Sequence, residues 1–138
     1  MSGYDESHIP EILKNYRNIA VVGLSDKSDR DSYRVAKYLM SHGYRIIPVN
    51  PAIKTWEGIE SYPSVSSIPD HIKVDVVDVF RKPEAALDIV RDSLSRSPKV
   101  LWLQEGVVNS DAADLAKQNG MMVVMDRCMM KEHNRIKN

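Results

Sequence analysis

The chain has 138 residues, 43% hydrophobic and 28% charged, with 19 basic side chains balanced by 19 acidic ones and a formal net charge of zero. A neutral surface provides no field to gather nucleic acid or an anionic membrane, so any anion site has to be built locally. A lone cysteine excludes an internal disulfide, and no apolar run reaches the length of a membrane span. The first ten residues are polar and acidic, without the basic and apolar regions of a signal peptide. These features predict a soluble, cytoplasmic protein forming one domain over residues 1–138.

Ile9, Ile12, Leu13 and Tyr16 recur at helical spacing and predict a short amphipathic helix over about residues 7–16, capped by Asp5 or Ser7. Residues 18–23 read as a first strand, apolar on both faces, that ends at Gly23 and enters a polar loop. A helix is expected over residues 32–42, with Gly43 placed to end it. Residues 44–49 form a second buried strand closed by Asn50-Pro51. The polar stretch 52–73, with Pro63 and Pro69, predicts only short helical turns.

Residues 74–80 (VDVVDVF) read as a third strand, and Asp75 and Asp78 predict that parts of it reach solvent or a partner. Pro83 suits the first turn of a following helix that presents Ala86, Leu87, Val90 and Leu94 on one side and breaks at Ser97-Pro98. A fourth strand spans residues 100–103. Asn109 or Ser110 then caps a helix ending at Gly120, and residues 121–125 form a fifth strand. Strands alternating with helices predict an α/β, three-layer, doubly wound parallel sheet, Rossmann-like, of about five strands in the order 3-2-1-4-5.

Such sheets hold ligands outside the carboxyl ends of their strands. In the first loop, Gly23 lets the backbone turn or approach a ligand, and the loop N–H groups with the helix start suit a phosphate. Lys27, Arg30 and Arg34 add positive charge there, offset by Asp26, Asp29 and Asp31. Neither GxxxxGK[ST] nor GxGxxG is present. The second strand ends in Asn50-Pro51 followed by Lys54, where an NAD site would have a carboxylate; NADP or another phosphorylated nucleotide stays open. Phe80, with Val79, suits one face of an adenine, and Arg81 a phosphate. Gln104, Glu105 and Gly106 end the fourth strand, but Glu105 has no His or Ser partner at a fixed spacing, so no catalytic residue is assigned. Cys128, Glu132 and His133 form no standard metal set; Cys128, beside Arg127, is either a buried thiol or a reactive thiolate.

The ordered set VVGLSDKSDR-SYRVAKYL, IIPVNP, VDVVDVFR, LWLQEGV and VVMDRC resembles the small stand-alone CoA-binding proteins. Their domain is similar to the N-terminal CoA-binding domain of the succinyl-CoA synthetase alpha subunit. The resemblance covers about residues 12–133. It implies that Gly23, Leu24, Ser25 and the loop through Ser32 and Arg34 hold the diphosphate of coenzyme A. Asn50, Pro51 and Lys54 would lie near the ribose 3′-phosphate, and Val79, Phe80 and Arg81 beside the adenine. Gln104, Gly106 and Val107 would line the pantetheine, with Cys128 toward the thiol. The catalytic histidine of the synthetase belongs to a later domain, so the resemblance implies a CoA or acyl-CoA binding module without catalysis of its own. Thiol–disulfide chemistry between Cys128 and CoA, and an NADP-dependent oxidoreductase, are the alternatives. A homodimer or another protein partner stays open.

Overall fold

The computed structural model describes residues 8–137, and Asp5 and Ser7, the expected caps, lie outside the described residues. Helix α1 (Ile9–Asn15) starts with Pro10 in its first turn and buries Ile9, Ile12 and Leu13. Strand β1 (Asn18–Val22), helix α2 (Asp31–Ser41) and strand β2 (Arg45–Val49) follow. Next come β3 (Thr55–Trp56) and β4 (Ile59–Glu60), then β5 (Val76–Val79) and α3 (Ala86–Ser93). The chain closes with β6 (Val100–Leu103), α4 (Ser110–Gln118), β7 (Met122–Met125) and α5 (Met129–Ile136). No helix among the described residues is long and apolar enough to cross a membrane.

Two helix ends show their local chemistry plainly. The Asn109 side chain accepts a hydrogen bond from the Ala112 N–H and caps α4. Ser97 takes a left-handed conformation just after the α3 segment, at the break expected there. Two elements depart from expectation. Instead of helical turns alone, residues 52–73 hold the β3–β4 hairpin, whose turn residues Glu57 and Gly58 both have positive φ, the twist a two-residue hairpin needs. Helix α5 also forms where no helix was expected, buried through Met129 and Glu132.

The five long strands make one parallel sheet in the order β2-β1-β5-β6-β7. Counted along this sheet, the order is 2-1-3-4-5, which corrects the expected 3-2-1-4-5. The physical reason lies in Pro48. It sits in β2 opposite Val21, and its carbonyl points away from β1, accepting from the Tyr62 N–H at 3.0 Å. A proline lacks the N–H that a second strand partner would require on that side, so β2 suits the edge. The connection from β2 therefore returns across β1, packing Val65, Ile68 and Ile72 on one face, and delivers β5 to the other side of β1.

Each face of the sheet is covered. Helices α3 and α4 and the returning connection bury Ala20, Val22, Ile47, Val77, Val79, Leu101 and Leu103. On the opposite face α1, α2 and α5 cover Ile19, Val21, Ile46, Val76, Val100 and Trp102. Burial on both faces explains why the strands read as continuous apolar runs.

Candidate functional site

Strands β1 and β5 are neighbours, yet the segments that leave them go to opposite faces, β1 into α2 and β5 into α3. That divergence opens a crevice at their carboxyl ends, where α/β sheets take ligands. Gly23 sits at the seam with φ +87°, and a Cβ there would lie 2.5 Å from the Phe80 carbonyl oxygen and 2.8 Å from Arg81 Cδ. The chain's own close approach requires this glycine. Its N–H is bound to the Val49 carbonyl at 2.8 Å.

The loop after Gly23 is tied internally. The Ser25 N–H donates to Ser32 Oγ at 2.9 Å, and the Lys27 N–H donates to Ser25 Oγ at 3.1 Å. Two N–H groups of the loop thus already have partners. Helix α2, in contrast, starts at Arg30 without a side-chain cap, so its first-turn N–H groups are those that remain for an anion. This start borders a polar pocket of about 380 Å³ with Gly23, Ser25, Ser32, Asn50 and Phe80. Arg34 is turned to Asp31 and to the Asp29 carbonyl. The Asn50 amide donates to the Leu24 carbonyl at 3.0 Å and accepts from the Ala52 N–H at 2.8 Å, so it ties the first loop to the turn after β2. The Leu24 side chain is buried in the core, leaving only its backbone near the crevice.

On the α3 side, Gly23 also borders an apolar pocket of about 280 Å³ lined by Val22, Val49, Pro51, Pro63, Val65 and Ile89, with Arg81, Asp88 and Asp92 at its edges. Residues 63–65 and the α3 contributors carried no signal in a strand-end reading. They arrive because the connection from β2 crosses β1, and this depends on strand order.

On the α2–α5 side lies a third pocket of about 300 Å³, bordered by Val35, Phe80, Gln104, Cys128 and Met130, with Asp31, Arg34, Glu105 and Lys131 at its mouth. Lys131 Nζ donates to both oxygens of Glu105, at 2.9 and 3.1 Å. Burial pushes the Cys128 thiol up, with backbone hydrogen bonds from Lys131 and Met130 opposing and the charges of Glu105 and Asp78 adding to the rise. Asp78 lies below this pocket at 0% exposure, and burial pushes its carboxyl up to about 7 against the lowering effect of the Gln104 hydrogen bond. Asp78 therefore does not reach solvent, contrary to expectation. Asp75 is also buried, accepting from the Asn18 N–H at 3.1 Å, with Lys73 at 3.6 Å.

Other expected residues fall elsewhere. Val79 and Val107 are core residues on the α3–α4 face. Lys27 and Lys54 are exposed and border none of these three pockets, and Gly106 is held in a turn by its N–H to Asp126 Oδ1 at 2.8 Å. A wider depression of about 500 Å³ follows the outer side of α2 along Tyr33, Lys37, Tyr38 and Met40. It draws its lining from one helix and Ser28, without the convergence of strand ends that the crevice has. Among the described residues no group of three or more His, Cys, Asp or Glu is arranged to hold a metal ion.

A family model described as a CoA binding domain matches residues 17–134, and the chain belongs to that family. The Bacillus subtilis protein YneT is 39% identical over 133 residues, 96% of this chain and 97% of its own. A solved structure of a Pyrococcus horikoshii OT3 protein superposes with a TM-score of 0.92 at 41% identity, over 100% of this chain and 96% of that one. The alpha subunit of an ADP-forming acetate–CoA ligase II of Pyrococcus furiosus is 33% identical over 69 residues, which are 49% of this chain and 15% of that subunit.

Proposed function

We propose that the protein binds coenzyme A, free or acylated, along the crevice at the β1–β5 seam, and assign it no reaction of its own. The observation that supports this most directly is the order of chemistry along three linked pockets. The apolar pocket shares Gly23 with the polar one, and the polar pocket shares Asp31 and Phe80 with the one that reaches Cys128. CoA has the same order: a flat base, a charged diphosphate, then an amide-bearing arm ending in a thiol.

On this reading the adenine lies against Val49, Pro63 and Val65, with Arg81 for phosphate. The diphosphate lies at the start of α2 with Arg30, and the pantetheine arm passes Phe80 and Gln104. Among the described residues neither Arg30 nor Arg81 forms an ion pair, which leaves both cations available. Phe80 moves from the adenine, where the sequence suggested it, to the junction of diphosphate and arm. Lys54 has no assigned contact in this arrangement. A cytosolic setting would keep Cys128 reduced.

Thermal unfolding of the full chain with CoA, dephospho-CoA and NADPH tests the proposal. A ligand at a hundred times its Kd adds about 2.7 kcal/mol of stability. CoA should stabilise most. Equal stabilisation by NADPH, or none by CoA, overturns the reading.

Cys128 at the end of the arm pocket favours one second reading. Its thiolate would attack a sulfur of CoA disulfide, forming the protein–CoA mixed disulfide and releasing one CoA thiolate. The raised thiol slows that step, because the thiolate is the nucleophile. Intact mass after exposure to CoA disulfide decides it: the mass gained is that of one CoA less two hydrogens, or nothing.

A further inference from the structure

The CoA reading makes no use of the carboxyl buried in the middle of the sheet. Asp78 is flanked in register by Val21 of β1 and Trp102 of β6, and it is fully buried. A hydrocarbon of similar size would pack there without the desolvation cost of a carboxyl. Asp78 Oδ1 accepts from Gln104 Nε2 at 2.7 Å, while Oδ2 has no partner among the described residues. Such a buried, half-satisfied group is costly, and nothing in the packing around it needs it.

Strand periodicity locates its effect. Side chains two residues apart share a face, so Asp78 lies one step below Phe80, and Trp102 one step below Gln104. Phe80 and Gln104 both border the arm pocket. Asp78 is therefore under the floor of that pocket and reaches it through Gln104. One N–H of Gln104 Nε2 is committed to Asp78, which turns the nitrogen toward the floor, and no described residue donates to the amide oxygen, so that oxygen is the end presented to a ligand.

The geometry points to Asp78 as a positioning residue: it holds the Gln104 amide with its oxygen toward the arm pocket, so the floor offers an acceptor and selects an arm carrying an N–H or S–H donor. This rests on the proposed CoA site and deepens it, since the pantetheine arm carries two secondary amides and a thiol. The ionisable groups bordering the pocket above Asp78 are Cys128 and Lys131 from the α5 side, Asp31 and Arg34 from α2, and Glu105 after β6, and of these Cys128 feels the Asp78 charge. From β1 it meets Val21.

The test is a double-mutant cycle on the full chain, with CoA binding read by calorimetry. Asp78→Leu and Gln104→Met should each weaken CoA by at least about tenfold, the effect of one lost hydrogen bond at a buried site. The double variant should be no weaker than either single one, because Asp78 acts only through Gln104. Wild-type affinity in Asp78→Leu, or losses that multiply in the double variant, overturns the proposal. A second measurement needs neither CoA nor a variant that folds. In ligand-free wild-type protein the Gln104 side-chain amide NMR signals should titrate with a midpoint near 7, following Asp78. Signals that stay flat sever the Asp78–Gln104 link even if CoA binds. A clean titration with no CoA binding instead removes the ligand reading and leaves the link standing.

Discussion

The two faces of the central sheet follow different rules. Under α3 and α4, the buried strand residues from Ala20 to Met125 are all hydrocarbon or thioether, and the pocket at that face's carboxyl end is floored by hydrocarbon, with Ser64, Arg81, Asp88 and Asp92 only at its edges. Under α1, α2 and α5, the middle of the sheet carries Asp78, bonded to Gln104, and the pocket above it mixes apolar, amide, thiol and charged groups. Hydrocarbon contact scales with area and has little direction, whereas a buried hydrogen bond is directional and costly when unmade. The first face thus suits a flat base held by shape, and the second an arm recognised by its polar groups.

The seam shared by both faces should give the largest effect. Gly23→Ala places a methyl 2.5 Å from a backbone oxygen at a positive φ, so strain and overpacking add. A loss of about 4–5 kcal/mol is expected in chemical denaturation. A variant within about 1 kcal/mol of wild type would mean that the β1–β5 seam opens without cost and that the two faces are not rigidly joined.

Asp78 gives the next effect, and its sign can be worked out. Unfolded, the carboxyl titrates near the ordinary 3.8; folded, it is pushed up to about 7. Between these values the native state keeps a proton that the unfolded state has lost, so stability falls as pH rises through that window. Below about 4 nothing is lost, and above about 7 the full penalty applies. From this residue the wild type should lose up to about 4 kcal/mol across the window, whereas Asp78→Asn should lose none of that share. Identical pH profiles for the two proteins would erase the contrast between the faces.

On the hydrocarbon face, Leu101→Ala removes a fully buried side chain opposite Val77 and Val123. It should cost about 3 kcal/mol of stability. The stabilisation added by CoA should be unchanged, since Leu101 borders none of the three crevice pockets. Weakened CoA binding at unchanged stability would instead mark that face as a recognition surface.

These contrasts were only partly legible in the sequence. The strands could be read because burial on both faces leaves unbroken apolar runs such as IAVV and VLWL. Their ends pointed to the crevice because the fold class puts ligands there. The order was misread because Pro48, within an apolar run, marks an edge only through the N–H it lacks. With the order went the lining from residues 63–65 and α3, which reaches the crevice only if the connection crosses β1. Helix α5 escaped notice because MMKEHNRI has few apolar positions and buries a glutamate paired with Arg135. Which polar atoms are already committed is a matter of geometry that composition does not carry. Asn50 looked like a ligand contact, yet both ends of its amide hold loops together.

The smallest effect sharpens the comparison within one pocket. Glu105 and Lys131 pair at the mouth of the arm pocket with side chains 55% and 61% exposed, whereas Asp78 below its floor has no exposure. Water screens the pair at the mouth, so Glu105→Gln should cost under about 1 kcal/mol, and less at high salt. The same change removes a negative charge that raises the Cys128 thiol. The thiolate fraction should then rise slightly, and alkylation of Cys128 by iodoacetamide should speed up by less than about threefold at neutral pH. A stability loss comparable to the Asp78 penalty would mean that the mouth is as poorly solvated as the floor. A slower alkylation would mean that Glu105 acts on Cys128 through access rather than charge. With both expectations met, one pocket joins a solvated charged mouth, where charge is cheap, to a dry floor, where a single carboxyl sets the direction of an amide.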